Sequence, residues 1–383
     1  MMQSTPKHTP IPELVAPAGT PEKLRTAFFF GADAVYLGLK RFSLRATAGN
    51  FTLDQLEWAI AHAHDMERKV YVALNVQPTD PEFPALEETL ESLAALEPDA
   101  VIVADAGVLR VARRRAPKLS YHLSTQASVM NAEAAAFFFE AGISRIVLAR
   151  ELDIAQITAL RGSAQGQLEV FVHGAVCIAT SGRCFLSLYW ADRDPRHGDC
   201  AAACRWPYTA IEDRRRPGQA NPLEQDERGT HFFDAKDLCA LPLLEALVDS
   251  GVGALKIEGR SRSQLYVGTT VDVYRRALDC IAKGDREQLR AQMPAWQVEL
   301  ARQAKRGFST HFLDGKQDEA ESYLPAGGSP LGGSAVYAGK VTKATGDYVD
   351  VALVNALRLR ETVELCAPGM VRETHTPSTL TLA

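Results

Sequence analysis

Residues 13–40, ELVAPAGTPEKLRTAFFFGADAVYLGLK, decide the fold. Two short apolar runs, ELVAPAG (13–19) and AVYLGLK (34–40), flank a helical pattern, PEKLRTAFFFGA, that closes on glycine. A strand, a helix of this length and a second strand make a βα unit of a parallel sheet. The unit then recurs. Further strand-like runs are KVYVALN (69–75), AVIVADAG (100–107), SYHLSTQ (120–126), RIVLAR (145–150), LEVFVHG (168–174) and ALKIEGR (254–260). Between them lie helical patterns such as LDQLEWAIAHAHDM, FPALEETLESLAALEP, GVLRVARRR, NAEAAAFFFEAG and DIAQITALRG. Eight units in about 250 residues predict an α/β fold, a closed TIM-like (β/α)8 barrel. An open doubly wound sheet is the alternative, but no G-x-G-x-x-G follows the first strand.

The seventh unit is abnormal. After LEVFVHG the chain makes a Cys-rich excursion over about 175–253 before the eighth strand. In a barrel this insertion leaves the C-terminal rim, where active sites are built, and an excursion of that length points to function. The resulting division is an N-terminal tail over 1–12, a barrel over 13–285, a helical extension over 286–323, a Gly/Pro/Ser-rich linker over 324–334 and a small β-domain over 335–383. That last domain alternates in strand fashion, turns at Thr345-Gly346-Asp347 and is too small to stand alone, so it packs on the barrel.

Composition sets outer bounds. The 383 residues are 46% hydrophobic and 23% charged, ordinary for a chain with a real core. A net charge of −5 provides no dominant basic field, so any nucleic-acid contact must rest on a local patch. The N-terminus lacks the apolar core of a signal peptide, and no apolar run reaches membrane-spanning length. A cytoplasmic location with no membrane partner is the expectation, and there clustered thiols bind metal or do redox chemistry more often than they pair.

The strand ends converge on one rim. Asn75, Asp105, Gln126, Arg150, His173, Glu258 and Arg260 sit there, with Lys256 just below. Asp105, His173 and Glu258 are candidate catalytic residues by position. Asn75, Gln126, Arg150, Lys256 and Arg260 are candidate substrate-binding residues, the cations making the mouth suited to carboxylate or phosphate. Each also has a plain reading, because strand-end polar groups cap helices and satisfy loop backbone. Asp33, His122 and Glu169 read as structural.

Four of the seven cysteines, Cys177, Cys184, Cys200 and Cys204, fall within 28 residues in the pattern C-x6-C-x15-C-x3-C. Cys239 is a fifth candidate ligand, while Cys280 and Cys366 read as structural. Small buried thiols are the plain alternative. Structural zinc favours paired C-x2–4-C knuckles, and only the second pair has that form. The spacing also departs from ferredoxin runs. A Cys177–His173 nucleophile pair is a third option, which leaves three thiols unexplained. Spacing alone therefore leaves a metal or an iron–sulfur cluster unassigned.

The strings EVFVHGAVCIATSGRCFLS, GDCAAACRWPY and KIEGRSRS, with ELVAPAGTPEKLRTAFFFGADAVYLG, HLSTQASVMN and RGFSTHFL, resemble peptidase family U32 over roughly residues 13–315. The chain looks closest to the branch of tRNA hydroxylation proteins, although its terminal β-domain is short for that branch. The resemblance implies a TIM-barrel-like domain and a [4Fe-4S] cluster held by Cys177, Cys184, Cys200 and either Cys204 or Cys239. It also implies oxygen-independent hydroxylation of RNA bases, such as formation of 5-hydroxyuridine in tRNA, with prephenate, a small dicarboxylate, as hydroxyl donor. The partner is then tRNA, for which Arg113-Arg114-Arg115 and Arg214-Arg215-Arg216 are local basic pieces. Three other readings compete. A collagenase-like peptidase fits the older family name, but the chain holds no H-E-x-x-H and no G-x-S-x-G. Hydroxylation of a ubiquinone precursor belongs to a branch that generally lacks the β-domain. A cluster-stabilised tRNA-binding scaffold would leave the chemistry to another enzyme.

Overall fold

Eight parallel strands close into a barrel in the computed structural model, which describes residues 10–45, 49–177, 179–181, 183–184, 186–191, 193–195, 198–201, 224–226, 229–231, 236–304, 307–315, 336–345 and 348–381. The strands are β1 (Glu13–Pro17), β2 (Ala34–Gly38), β3 (Lys69–Leu74), β4 (Ala100–Val103), β5 (Tyr121–Leu123), β6 (Arg145–Val147), β7 (Gln167–Gly174) and β11 (Ala254–Ile257). They pair in that order, and β11 pairs with both β7 and β1, which closes the sheet. Helices α1 (Pro21–Phe29), α2 (Leu53–His64), α3 (Phe83–Leu96), α4 (Ala106–Arg115), α5 (Ala132–Glu140), α6 (Ile154–Ser163) and α8 (Leu244–Asp249) follow their strands, and α9 (Gln264–Ala282) returns after β11.

The strand-to-helix loops share one device. Thr20, Thr52, Asp105, Asn131, Asp153 and Ser263 each accept a hydrogen bond from the amide three residues on, at the start of the following helix. Each such cap satisfies a donor that the first helical turn leaves unpaired, an effect of about 1 kcal/mol.

Strand alternation divides the core. Outward residues such as Leu14, Val35, Val72, Val101, Ile146 and Leu255 pack against the helices. The inward set Val15, Ala34, Tyr36, Tyr71, Ala100, Ile102 and Ala254 forms its own cluster inside the barrel. A line of charged residues runs through the same interior. Lys256 Nζ lies 2.7 Å from Glu169 Oε1, Glu169 Oε2 lies 3.2 Å from Arg145 Nη1, and Arg145 Nη1 lies 2.7 Å from Glu13 Oε1. At the floor of the barrel Lys69 and the Tyr71 hydroxyl complete Glu13, at 2.8 and 2.6 Å. Burial raises the affinity of Glu169 and Glu13 for protons, but the cations beside them outweigh it and hold both below the usual carboxylate value. His122 and Glu169, expected to be structural, are buried here, and Asp33, half-buried at the outer edge, accepts from the Leu14 amide.

The insertion after β7 has structure of its own. It contains α7 (Leu186–Ala191), the hairpin β8 (Glu224–Asp226) and β9 (Gly229–His231), and β10 (Asp237–Cys239). β7 is the longest barrel strand, and its last residues outrun β6 and pair antiparallel with β10. β12 (Phe308–Ser309) adds to β10 after α10 (Arg286–Ala301). The C-terminal region forms two separate hairpins, β13 (Gly339–Ala344) with β14 (Val349–Leu353) and β15 (Val363–Ala367) with β16 (Val371–His375). The second is tied down by Asp272 of α9, which accepts from the Gly369 and Met370 amides, and by Arg372, which grips Glu299 of α10. The expected linker over 324–334 and the Arg214–Arg216 piece lie outside the described residues, and no described helix is long and apolar enough to cross a membrane.

Glu169 is fully enclosed between two cations. Glu169→Ala leaves the buried Lys256 uncompensated and Arg145 with Glu13 alone, and should cost about 3–5 kcal/mol in urea unfolding. A loss of roughly 1 kcal/mol or less would show that the ion chain is not a support of the barrel.

Candidate functional site

The C-terminal strand ends surround a cavity of about 450 Å3. Asn75, Gln126, Arg150, Lys256, Glu258 and Arg260 all line it, and so do Cys177, Cys184 and Cys200 from the insertion. The structure thus brings together most of the residues that the rim pattern singled out. A larger hollow of about 560 Å3 opens at the opposite end of the barrel, around Lys69, His122, Arg145 and Arg161. Lys69 and Arg145 there are spent on Glu13, Arg161 on the carbonyls of Ala164 and Gly166, and His122 is held neutral by burial and by the nearby Arg145 and Lys256. That end of a barrel is where residues serve stability, so the upper cavity is the candidate site.

Glu258 is its electrostatic centre. Its carboxylate accepts from the Tyr36 hydroxyl at 3.0 Å and pairs with Arg45 Nη2 at 3.3 Å. Burial alone would raise its pKa, but Arg45, Arg150 and Arg260 pull it down to about 2. A carboxyl so acidic stays ionised and serves as a counter-ion to the arginines around it. Tyr36 is driven the other way by burial and by Glu258, so it remains a hydroxyl donor. Arg260 is buried, donates to Ser43 Oγ at 2.8 Å and packs against Gly38, where a Cβ would stand 2.2 Å from its Nη1. Only glycine fits there. Lys256 lines the cavity but its ammonium is committed to Glu169 beneath.

The loop between β2 and α2 supplies residues that the sequence reading missed. Phe42 is buried with φ 62, a conformation rare for a bulky side chain. It persists because the loop is pinned on both sides. Ser43 holds Arg260, the Leu44 amide donates to Asn75 Oδ1 at 3.3 Å, and Asn50 Nδ2 donates to the Arg45 carbonyl at 2.8 Å. Asn75 in turn donates to Gln126 Oε1 at 3.2 Å. Arg45 and Tyr36 therefore belong to the site. Tyr36 could have been found from the inward phase of β2, whereas the Arg45 loop has no periodicity to read.

Three sequence candidates fall elsewhere. Asp105 does not line the cavity; it accepts from the Val108 amide at 3.0 Å and caps α4. His173 is buried against Tyr266, Tyr274 and Phe308 and does not line the cavity either. The cause is a bulge. β7 pairs Phe171 with Lys256 but His173 with Ile257, so Val172 is an extra residue that turns His173 to the outward face, toward α9. Burial, helped by Arg262, lowers its pKa to about 3 and leaves it neutral. Cys239 pairs across from His173, is buried, and has its thiol pushed up to about 11 by that burial. It is a core thiol away from the cavity, and Cys204 lies outside the described residues.

The three remaining thiols share the cavity without sharing a coordination sphere. Among the described residues no group of three His, Cys, Asp or Glu side chains is placed to hold one metal ion. Ser187 of α7 ties two of the cysteine segments together, its hydroxyl 3.4 Å from Cys200 Sγ and accepting from the Ala201 amide at 3.0 Å. Around the thiols stand Arg45, Arg150, Lys256 and Arg260 against Glu151 and Glu258, a surplus of positive charge. Such a mouth suits anionic ligands.

Comparison with known proteins adds to this geometry. The family model described as peptidase family U32 matches residues 19–322. The chain is 33% identical over 401 aligned residues, 93% of itself and 86% of the relative, to tRNA hydroxylation protein P of Escherichia coli (strain K12). It is 42% identical over 271 residues, 70% of itself and 64% of the relative, to tRNA hydroxylation protein P of Helicobacter pylori (strain J99). It is also 33% identical over 351 residues, 90% of itself and 51% of the relative, to the 23S rRNA 5-hydroxycytidine C2501 synthase of Escherichia coli (strain K12).

Two outcomes check these placements. Asp105→Ala should lower stability by about 1 kcal/mol and Asp105→Asn should restore most of it, as for a helix cap. Glu258 binds its proton near 2 when folded and near 4.5 when unfolded, so its stabilisation is complete above pH 4.5 and is lost as the pH falls toward 2. Thermal unfolding across that range should show a flatter acid limb in Glu258→Gln; an unchanged limb would mean that Glu258 is not held ionised.

Proposed function

The chain belongs to peptidase family U32, and from that membership and the geometry of its cavity we propose that it is an RNA-modifying hydroxylase that acts on tRNA. The relatives named for tRNA hydroxylation and for rRNA 5-hydroxycytidine synthesis support hydroxylation of a pyrimidine base. The observation that carries the reading is the meeting of three thiols with three arginines and a bound carboxylate at one barrel mouth. The finer proposal is formation of 5-hydroxyuridine.

The donor set suits a [4Fe-4S] cluster. Thiolates are its usual ligands, Cys177, Cys184 and Cys200 line one cavity, and Cys204 follows Cys200 closely in sequence. Cys239 is the weaker candidate for the fourth position, because its thiol is buried in the core and resists ionisation. When bound, such a cluster supplies one-electron redox chemistry. The chain's own residues then bind and orient. Arg45 and Arg260 present guanidiniums to an anionic co-substrate, and a small dicarboxylate of the prephenate type is the proposed hydroxyl donor. Asn75 and Gln126 offer amide groups able to read the edge of an extruded base. Glu258, ionised and bonded to Tyr36 and Arg45, keeps both aimed into the cavity.

Among the described residues the peptidase reading lacks a base at the mouth. A Cys177 nucleophile would need a base, and His173 lies outside the cavity, buried among aromatic rings. No observation at the mouth favours the quinone-precursor or scaffold readings over this one.

The test is nucleoside mass spectrometry on tRNA from a bacterial strain stripped of its own tRNA hydroxylation proteins and expressing this chain. The wild-type chain should restore hydroxylated uridine. Arg45→Ala should lower it by about tenfold or more, the effect of one lost charge-assisted contact. Unmodified tRNA in the presence of folded wild-type protein would overturn the proposal.

A further inference from the structure

Arg150 and Glu151 are consecutive residues in the short loop that follows β6, and each grips the segment that carries the first two cysteines. The chain leaves β7 through Gly174, whose φ is 108 and where a Cβ would stand 2.5 Å from the Glu258 carbonyl oxygen. The next carbonyl, Ala175, accepts from Arg150 Nη1 at 2.9 Å. Farther along, between Cys177 and Cys184, Ser181 donates its amide to Glu151 Oε1 at 2.6 Å and its hydroxyl to Glu151 Oε2 at 3.1 Å. Ser181 is buried, takes φ 47 and sits in a tight turn in which the Arg183 amide donates to the Thr180 carbonyl at 2.9 Å.

We infer that Arg150 and Glu151 are positioning residues, a two-point clamp that holds Cys177 and Cys184 at the barrel mouth before any ligand is bound. The carboxylate takes both donors of one residue, and charge-assisted bonds of this kind are about twice as strong as neutral ones. The loop that carries the clamp is tied to the barrel just before it, the Leu148 amide donating to the Glu169 carbonyl and the Ala149 amide to the Val129 carbonyl, so the thiols inherit rigidity from the barrel although they lie on an insertion. Arg150 itself is stacked 4.0 Å over Phe171, which fixes its guanidinium for the Ala175 contact. Cys200 is held by a different element, Ser187 of α7. The inference rests on the proposed function only where iron is measured.

The test is site-resolved thiol alkylation of metal-free full-length protein, followed by mass spectrometry of the cysteine peptides, with iron and acid-labile sulfide measured in parallel on anaerobically reconstituted samples. In Glu151→Ala, Cys177 and Cys184 should react about tenfold faster than in the wild type, while Cys239 and Cys280 stay protected. Glu151→Gln keeps an acceptor for the Ser181 amide and should fall between. Unchanged rates at Cys177 and Cys184 would overturn the clamp, as would an equal acceleration at Cys239 and Cys280, which reports general loosening. If the wild type takes up no iron while the alkylation pattern still shifts, the clamp stands and the cluster proposal fails. If the wild type takes up iron and Glu151→Ala matches it in both iron and alkylation rate, the clamp fails alone.

Discussion

A column of alternating charge runs up the inside of the barrel, and the site depends on it. Lys69, Glu13, Arg145, Glu169 and Lys256 follow one another at ion-pair distance from the floor to the mouth. Removing an ion from water is expensive, and such a chain persists only because every member has an opposite charge beside it. The constraint reaches upward. Lys256 must point down to Glu169, so its ammonium lies 4.4 Å over the Tyr36 ring and leaves the Tyr36 hydroxyl to Glu258. Glu258, with no lysine to neutralise it, takes Arg45 from the neighbouring loop.

That arrangement explains why the mouth is cationic yet ordered. A cluster of guanidiniums around an empty space would repel itself. Here the ionised Glu258 sits among Arg45, Arg150 and Arg260 and holds them near one another. The loop after β2 accepts an unfavourable backbone at Phe42 because Ser43, Leu44 and Arg45 each gain a partner from it. The insertion then brings thiols to a mouth whose charge is already set. Barrel, loop and insertion each contribute a part, and none of the three holds the site by itself.

The barrel was legible because its strands are buried on both faces and so read as largely apolar runs, and because most helices between them are punctuated by a cap or a glycine. Asn75, Gln126, Arg150, Glu258 and Arg260 were legible for the same reason, since a strand end in a barrel is a rim position. Position alone could not separate Asp105 from that set, because a carboxylate after a strand is equally a helix cap. His173 was misplaced by one inserted residue in β7, a register effect that leaves no trace in composition. Arg45 went unread since it lies in an aperiodic loop and meets Glu258, 213 positions away, only in the folded chain. Cys239 looked like its neighbours in sequence, and only its pairing with His173 reveals a core thiol. The terminal strands were visible from their alternation, but their division into two hairpins depends on contacts with α9 and α10 that lie far off in sequence.

The most direct test of a thiol-lined, cluster-bearing mouth is the iron and acid-labile sulfide content of anaerobically purified protein, compared among wild type, Cys184→Ala and Cys239→Ala. The account predicts about four irons per chain, with acid-labile sulfide to match. It predicts that both are lost in Cys184→Ala and retained in Cys239→Ala. Zinc in place of iron, or a folded wild-type protein without metal, would contradict it.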